Sequence, residues 1–198
     1  TYPDLIKPVF HEENQYSKGV KVLATYVYPK AKGKYIALCE GDDYWIDPMK
    51  LQKQVDILES DDNVMLVHTG FKTINEFGED IPWPKYQHFQ EISKKEKGIL
   101  SLFDKNHIMT LTTMFRKEVM TSKLLEKSPY RYDYASFFTA ALMGKIRYLP
   151  FVTAAYRKTP TGAMQSRAYM VNKHLYEIYQ YFLKYYLNSG MKMPCAEN

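Results

Sequence analysis

The sequence predicts an α/β fold, and three observations carry that expectation. Tyr35-Ile36-Ala37-Leu38-Cys39 is a short apolar run that stops on an acidic turn; an Asp47-Pro48 pair opens a helix soon after; a second apolar run follows over 64–74. Strand, turn, helix and strand in that order is the rhythm of helices packed on a sheet. With 198 residues the chain suits one compact domain. No stretch approaches the roughly 18 consecutive apolar residues that a membrane-spanning helix requires.

Taken in order, residues 17–31 suggest a short helix capped by Ser17 and ended near Pro29. Lys32-Gly33 turns the chain into the first apolar run, which suits a strand buried on both faces. Asp47 reads as an N-cap with Pro48 at the first helical position. That helix runs to about Ser60 with Leu51, Val55 and Leu58 on its apolar face. Asp61-Asp62-Asn63 breaks it, and 64–74 is the next strand. Residues 75–98, with Gly78, Pro82, Pro84 and the cluster of lysines over 94–97, read as a long surface loop. A short helix is expected over 99–103, a threonine-rich strand over 109–115, and helices over 117–127 and 134–143, the last ended by Gly144. Residues 146–156 read as extended with an interruption at Pro150. From about 167 to 187 the pattern is helical, with Val171, Leu175, Ile178, Phe182 and Tyr185 forming one stripe. The expected organisation is a body over 1–166 and a C-terminal amphipathic helix and tail, 167–198, packed on it.

Charge is uneven. Residues 1–115 hold 14 Lys/Arg against 17 Asp/Glu, and residues 116–198 hold 13 against 5. A basic half attracts nucleic acid, an anionic membrane face or a phosphate-bearing substrate. Nucleic acid is disfavoured, because the aromatics of the last helix are needed for packing and no recognition motif accompanies them. The same helix offers a peripheral membrane contact as its second use. Two cysteines, Cys39 and Cys195, are too few for a disulfide scaffold and point to a reducing compartment.

The informative feature is Glu40-Gly41-Asp42-Asp43 at the end of the first strand. Carboxylates brought together raise one another's pKa. A divalent cation relieves that cost, and hard oxygen ligands suit Mg²⁺ or Mn²⁺ with positions left for phosphate oxygens. The other reading of the turn is a solvated strand-to-helix connection in which Asp42 or Asp43 merely caps.

Residues 33–59, GKYIALCEGDDYWIDPMKLQKQVDILE, resemble the central segment of family 2 glycosyltransferases with the GT-A fold. There a strand ends in a D-x-D-type motif, followed by an aromatic pair, a proline and a K-L-x-K-Q helix. Downstream, Asp133-Tyr134, the run Gly144-Lys145-Ile146-Arg147-Tyr148-Leu149-Pro150 and Ala155-Tyr156-Arg157 are similar to the family's acceptor side. The resemblance covers about residues 10–166. It implies a GT-A-like mixed sheet flanked by helices and transfer of a sugar from a nucleotide-diphosphate sugar to an acceptor hydroxyl, with inversion. It implies a saccharide or lipid-linked acceptor, work in cell-surface polysaccharide or glycolipid synthesis, and a cytoplasmic location at the inner face of the membrane. In this frame Asp42, then Glu40 and Asp43, hold Mg²⁺ or Mn²⁺ and the nucleotide. Asp133 is the general base, its competing role being helix capping, and Arg157 is a contact for the diphosphate ahead of Lys145 and Arg147.

Three departures qualify the match. Glu40 stands where the family more often has aspartate. Thr159 falls where many members carry a histidine that completes the metal site. The five histidines show no ligand spacing, His107 alone being kept as an acceptor-side candidate. The chain opens at Thr1-Tyr2-Pro3-Asp4 without the family's first βαβ portion, which is an absence of about 50–60 residues on the scale of one such unit. The expectation is therefore an N-terminally truncated domain, inactive or weak by itself, and the alternative is a non-catalytic remnant or interaction module that retains the fold.

Overall fold

A computed structural model describes residues 2, 4–94, 98–130, 133–159 and 168–190. It shows an α/β arrangement in which a five-stranded mixed sheet is covered by helices on both faces. The strands are β1 (Tyr35–Ala37), β2 (Tyr44–Trp45), β3 (Val64–Ile74), β4 (Met114–Arg116) and β5 (Lys145–Arg157), in spatial order β1-β4-β3-β5-β2. β3 and β5 run parallel; β4 is antiparallel to both β1 and β3, and β2 is antiparallel to β5. β1, β3 and β5 therefore share a direction, and their carboxyl ends lie along one edge.

Alternation along the strands divides the interior. Ile36, Leu66 and Phe115 face a large core built with α3 (Ile99–Asp104), α4 (Lys117–Met120), α5 (Lys123–Glu126), α6 (Asp133–Met143) and α7 (Ala168–Asn188). Their neighbours Tyr35, Ala37, Val67 and Met114 face the other side, under α1 (Lys50–Ser60), where Leu58 is wholly buried. In the large core, Phe138 of α6 stacks on Phe182 of α7 at 5.2 Å, and Ile178, Phe182 and Tyr186 are buried. The stripe on α7 thus continues through Tyr186, whereas Tyr185 is exposed. The side chain of Val171 lies outside the described residues.

Several expectations change. Over 17–31 there is no regular helix but a 3₁₀ turn (Tyr16–Lys18), one π-type turn (Leu23–Val27) and a second 3₁₀ turn (Tyr28–Lys30). Gly19 sits at φ +75°, which interrupts any helix there, and β-branched Val20, Val22, Thr25 and Val27 favour helix little. Within 75–98, a ten-residue helix, α2 (Lys85–Lys94), stands where a loop was expected; residues 95–97 lie outside the described residues. The helix expected over 117–127 splits into α4 and α5, because the hydroxyl of Ser122 caps the amide of Leu125 and starts a new turn. Residues 110–112 form a 3₁₀ turn before β4 rather than part of a strand.

α1 is also rotated relative to its expected face. Leu51 is exposed, and the buried line is Lys50, Gln54 and Leu58. The carboxamide of Gln54 donates to the carbonyls of Val67 (3.0 Å) and Thr112 (2.9 Å), and Lys50 Nζ donates to Gln54 and to the Thr112 carbonyl while lying 5.0 Å over the Trp45 ring. Hydrogen bonding and the cation–π contact make that polar line tolerable inside.

β5 carries the interruption expected at Pro150. Leu149 pairs with Thr69 and Val152 with Gly70, so Pro150 and Phe151 bulge from the ladder, where proline lacks no needed donor. Gly144, just past α6, is required for a steric reason: a Cβ there would stand 2.2 Å from the Asn63 carbonyl oxygen.

Candidate functional site

The carboxyl edge of β1, β3 and β5 gathers the charged residues singled out in the sequence. Glu40, Asp42 and Asp43 follow β1; Tyr156 and Arg157 end β5; Thr110 lies in the turn that enters β4; and Asp133 opens α6. Open α/β sheets bind ligands outside the carboxyl ends of their strands, where this group lies.

The acidic turn is held from β5. The backbone N–H of Arg157 donates to Asp43 Oδ1 at 2.8 Å, and its Nε donates to the Asp42 carbonyl at 2.9 Å. Its Nη1 donates to the carbonyls of Asn75 and Glu76, both at 3.0 Å. Arg157 thus clamps the acidic turn to the turn after β3, and among the described residues no hydrogen bond is made by its Nη2. Lys145 lies at the start of β5, at the opposite end, paired with Asp61 at 2.9 Å.

Asp133 is the first residue of α6. Its Oδ1 accepts the Tyr134 amide at 2.8 Å, and its Oδ2 accepts the Thr110 hydroxyl at 2.6 Å. Thr110 also lies close enough to Glu40 to bear on its carboxyl. Sequence reasoning missed Thr110, since 109–115 reads as a strand in which a threonine is unremarked.

Electrostatically the group is one unit. Partial burial raises the Glu40 carboxyl above its ordinary range; the charges of Asp43 and Asp133 add to this, and its own amide and Thr110 draw it back. Burial also raises Asp43, with Asp42 adding and the Arg157 amide opposing. The Tyr156 hydroxyl is raised by burial and then by the charges of Asp43, Asp42, Glu40 and Asp133. The Tyr156 ring is fixed from behind by Trp83 and Phe71, each at 6.2 Å.

Among the described residues no three His, Cys, Asp or Glu side chains stand at metal-coordinating spacing. Mg²⁺ commonly uses one or two carboxylates and takes its remaining ligands from water and phosphate. Exposed Asp42 and half-buried Asp43, whose Oδ1 alone is engaged by Arg157, are a donor set of that kind, and the mutual repulsion of the carboxylates fits a cation. His107 is buried instead, its Nδ1 3.0 Å from the Lys105 carbonyl and its ring facing His68.

No family model matches the sequence. Uncharacterized proteins of Mycobacterium bovis and Mycobacterium tuberculosis are each 30% identical to it over 177 residues, which is 89% of this chain and 48% of theirs. The chain spans about half the length of the curated relatives it matches. Among the described residues no helix is long and apolar enough to cross a membrane.

Proposed function

We propose that this chain is a portion of a GT-A-type, family 2 glycosyltransferase that transfers a sugar from a nucleotide-diphosphate sugar to an acceptor hydroxyl. The observation that supports this reading most is the gathering of Glu40, Asp42, Asp43 and Asp133 at the carboxyl edge of the sheet, where Arg157 clamps the acidic turn. They come from segments some 90 residues apart in a sequence that resembles the family at both places.

The roles follow from chemistry. Asp42 and Asp43, with Glu40 beside them, would hold Mg²⁺ or Mn²⁺, which when bound neutralises charge on the leaving diphosphate. Asp133 takes the proton of the acceptor hydroxyl as that oxygen bonds to the anomeric carbon. The bond from that carbon to the diphosphate breaks, and its electron pair leaves on the phosphate oxygen. Tyr156, its hydroxyl raised by burial and by the neighbouring carboxylates, stays protonated beside the site. The acceptor is a saccharide or lipid-linked sugar in this reading, and the reaction belongs at the inner face of a membrane.

Calorimetric titration with Mn²⁺ and UDP-, GDP- and dTDP-sugars tests this. Metal-dependent binding of one class, lost at least tenfold in Asp42→Ala, is expected. Absence of binding at millimolar donor with the fold intact would overturn it in favour of a non-catalytic module.

A further inference from the structure

We propose that Thr110 is a positioning residue that orients the Asp133 carboxylate toward the acceptor hydroxyl; this rests on the sugar-transfer reading above. The geometry is specific. Asp133 Oδ1 is taken by the amide of Tyr134 at 2.8 Å, so the rotation of the carboxylate is set by what holds Oδ2, and that is the Thr110 hydroxyl at 2.6 Å.

Thr110 is itself rigidly carried. Its carbonyl accepts the amide of Thr113 at 3.0 Å and the Thr113 hydroxyl at 2.7 Å, and the Thr112 hydroxyl donates to the Met109 carbonyl at 2.6 Å. Trp45 Nε1 donates to the Leu111 carbonyl at 3.0 Å, and Lys50 and Gln54 from α1 both reach the Thr112 carbonyl. Residues 109–113 are thus latched to α1, β2 and themselves. A group that must place a catalytic carboxylate within a fraction of an ångström gains from such a carrier.

Two measurements decide the matter. In steady-state transfer, Thr110→Val is expected to lower kcat by about tenfold or more with the donor KM nearly unchanged, and Thr110→Ser to restore most of it. A rise in KM at unchanged kcat, or no rescue by serine, overturns the role. In parallel, urea unfolding of Thr110→Val, Asp133→Ala and the double variant is expected to be non-additive, and additivity overturns it. Loss of all donor binding in the wild-type chain instead removes the sugar-transfer reading itself. Intact binding with additive variants removes only Thr110.

Discussion

His68 lies inside the molecule with its ring 5.0 Å from that of Tyr148 and 6.1 Å from that of His107. Burial, with His107 adding a smaller part, pushes it down from 6.5 to about 3, and burial lowers His107 as well. A folded-state value below the unfolded one means that the unfolded chain binds the extra proton as pH falls through that interval. Stability is therefore full above about 6.5 and declines toward 3, by up to about 1.4 kcal/mol per unit for each such group. Thermal unfolding between pH 7 and pH 5 is expected to show the decline, and His68→Asn to flatten it. An equal slope in the variant would remove the assignment. The histidines showed no pattern in the sequence because burial is a property of the sheet, and position 68 alternates into the interior only once β3 is paired.

At the scale of elements, α1 shows how a correct helix can carry a wrong face. Leu51, Val55 and Leu58 have helical spacing, yet Lys50 and Gln54 are the residues that turn inward with Leu58. Periodicity counts apolar side chains and cannot foresee a carbonyl at Thr112 that needs donors. Replacing Gln54 by Leu removes donors from the Val67 and Thr112 carbonyls and an acceptor from Lys50, and is expected to cost about 2 kcal/mol in urea unfolding. A cost under about 0.5 kcal/mol would mean that water replaces those bonds. The strands over 64–74 and 145–157, by contrast, were legible because β-branched and aromatic runs bounded by turn residues leave few other options. So was the acidic turn, since its chemistry is local. The helix over 85–94 was not legible, since prolines and a glycine just before it suggest a loop while its own ten residues contain none. Thr110 could not be read either, because its meaning depends on a partner, Asp133, that only the fold brings beside it.

For the molecule as a whole, α7 is part of the main core rather than an appendage. Ile178 and Phe182 are fully buried, and the Phe182 ring lies almost parallel to that of Phe138. The helix expected to pack on the body shares that body's hydrophobic interior. Phe182→Ala is expected to lower stability by about 3–5 kcal/mol, with a single cooperative transition retained. A second transition would show that the helix unfolds independently. α6 meets α7 on one side and presents Asp133 at its amino end, so packing at the C-terminal helix bears on the height at which that carboxylate stands.

The bulge at Pro150 has a consequence for how this chain tolerates length changes. From Leu149 to Arg157 β5 advances eight residues while β3 advances five, from Thr69 to Ile74. Two of the three extra residues, Pro150 and Phe151, leave the parity of β5 unchanged, but the third, Thr153, inverts it: every residue after Thr153 occupies the side that an uninterrupted strand would give to its neighbour. Losing one residue among 150–153 would exchange Tyr156 with Arg157, turning the phenol away from the carboxylates and tearing the clamp from the acidic turn. Substitutions across this stretch alter fit, whereas a single deletion scrambles phase. The irregularity in β5 is thus the gauge that keeps two distant halves of the site in step.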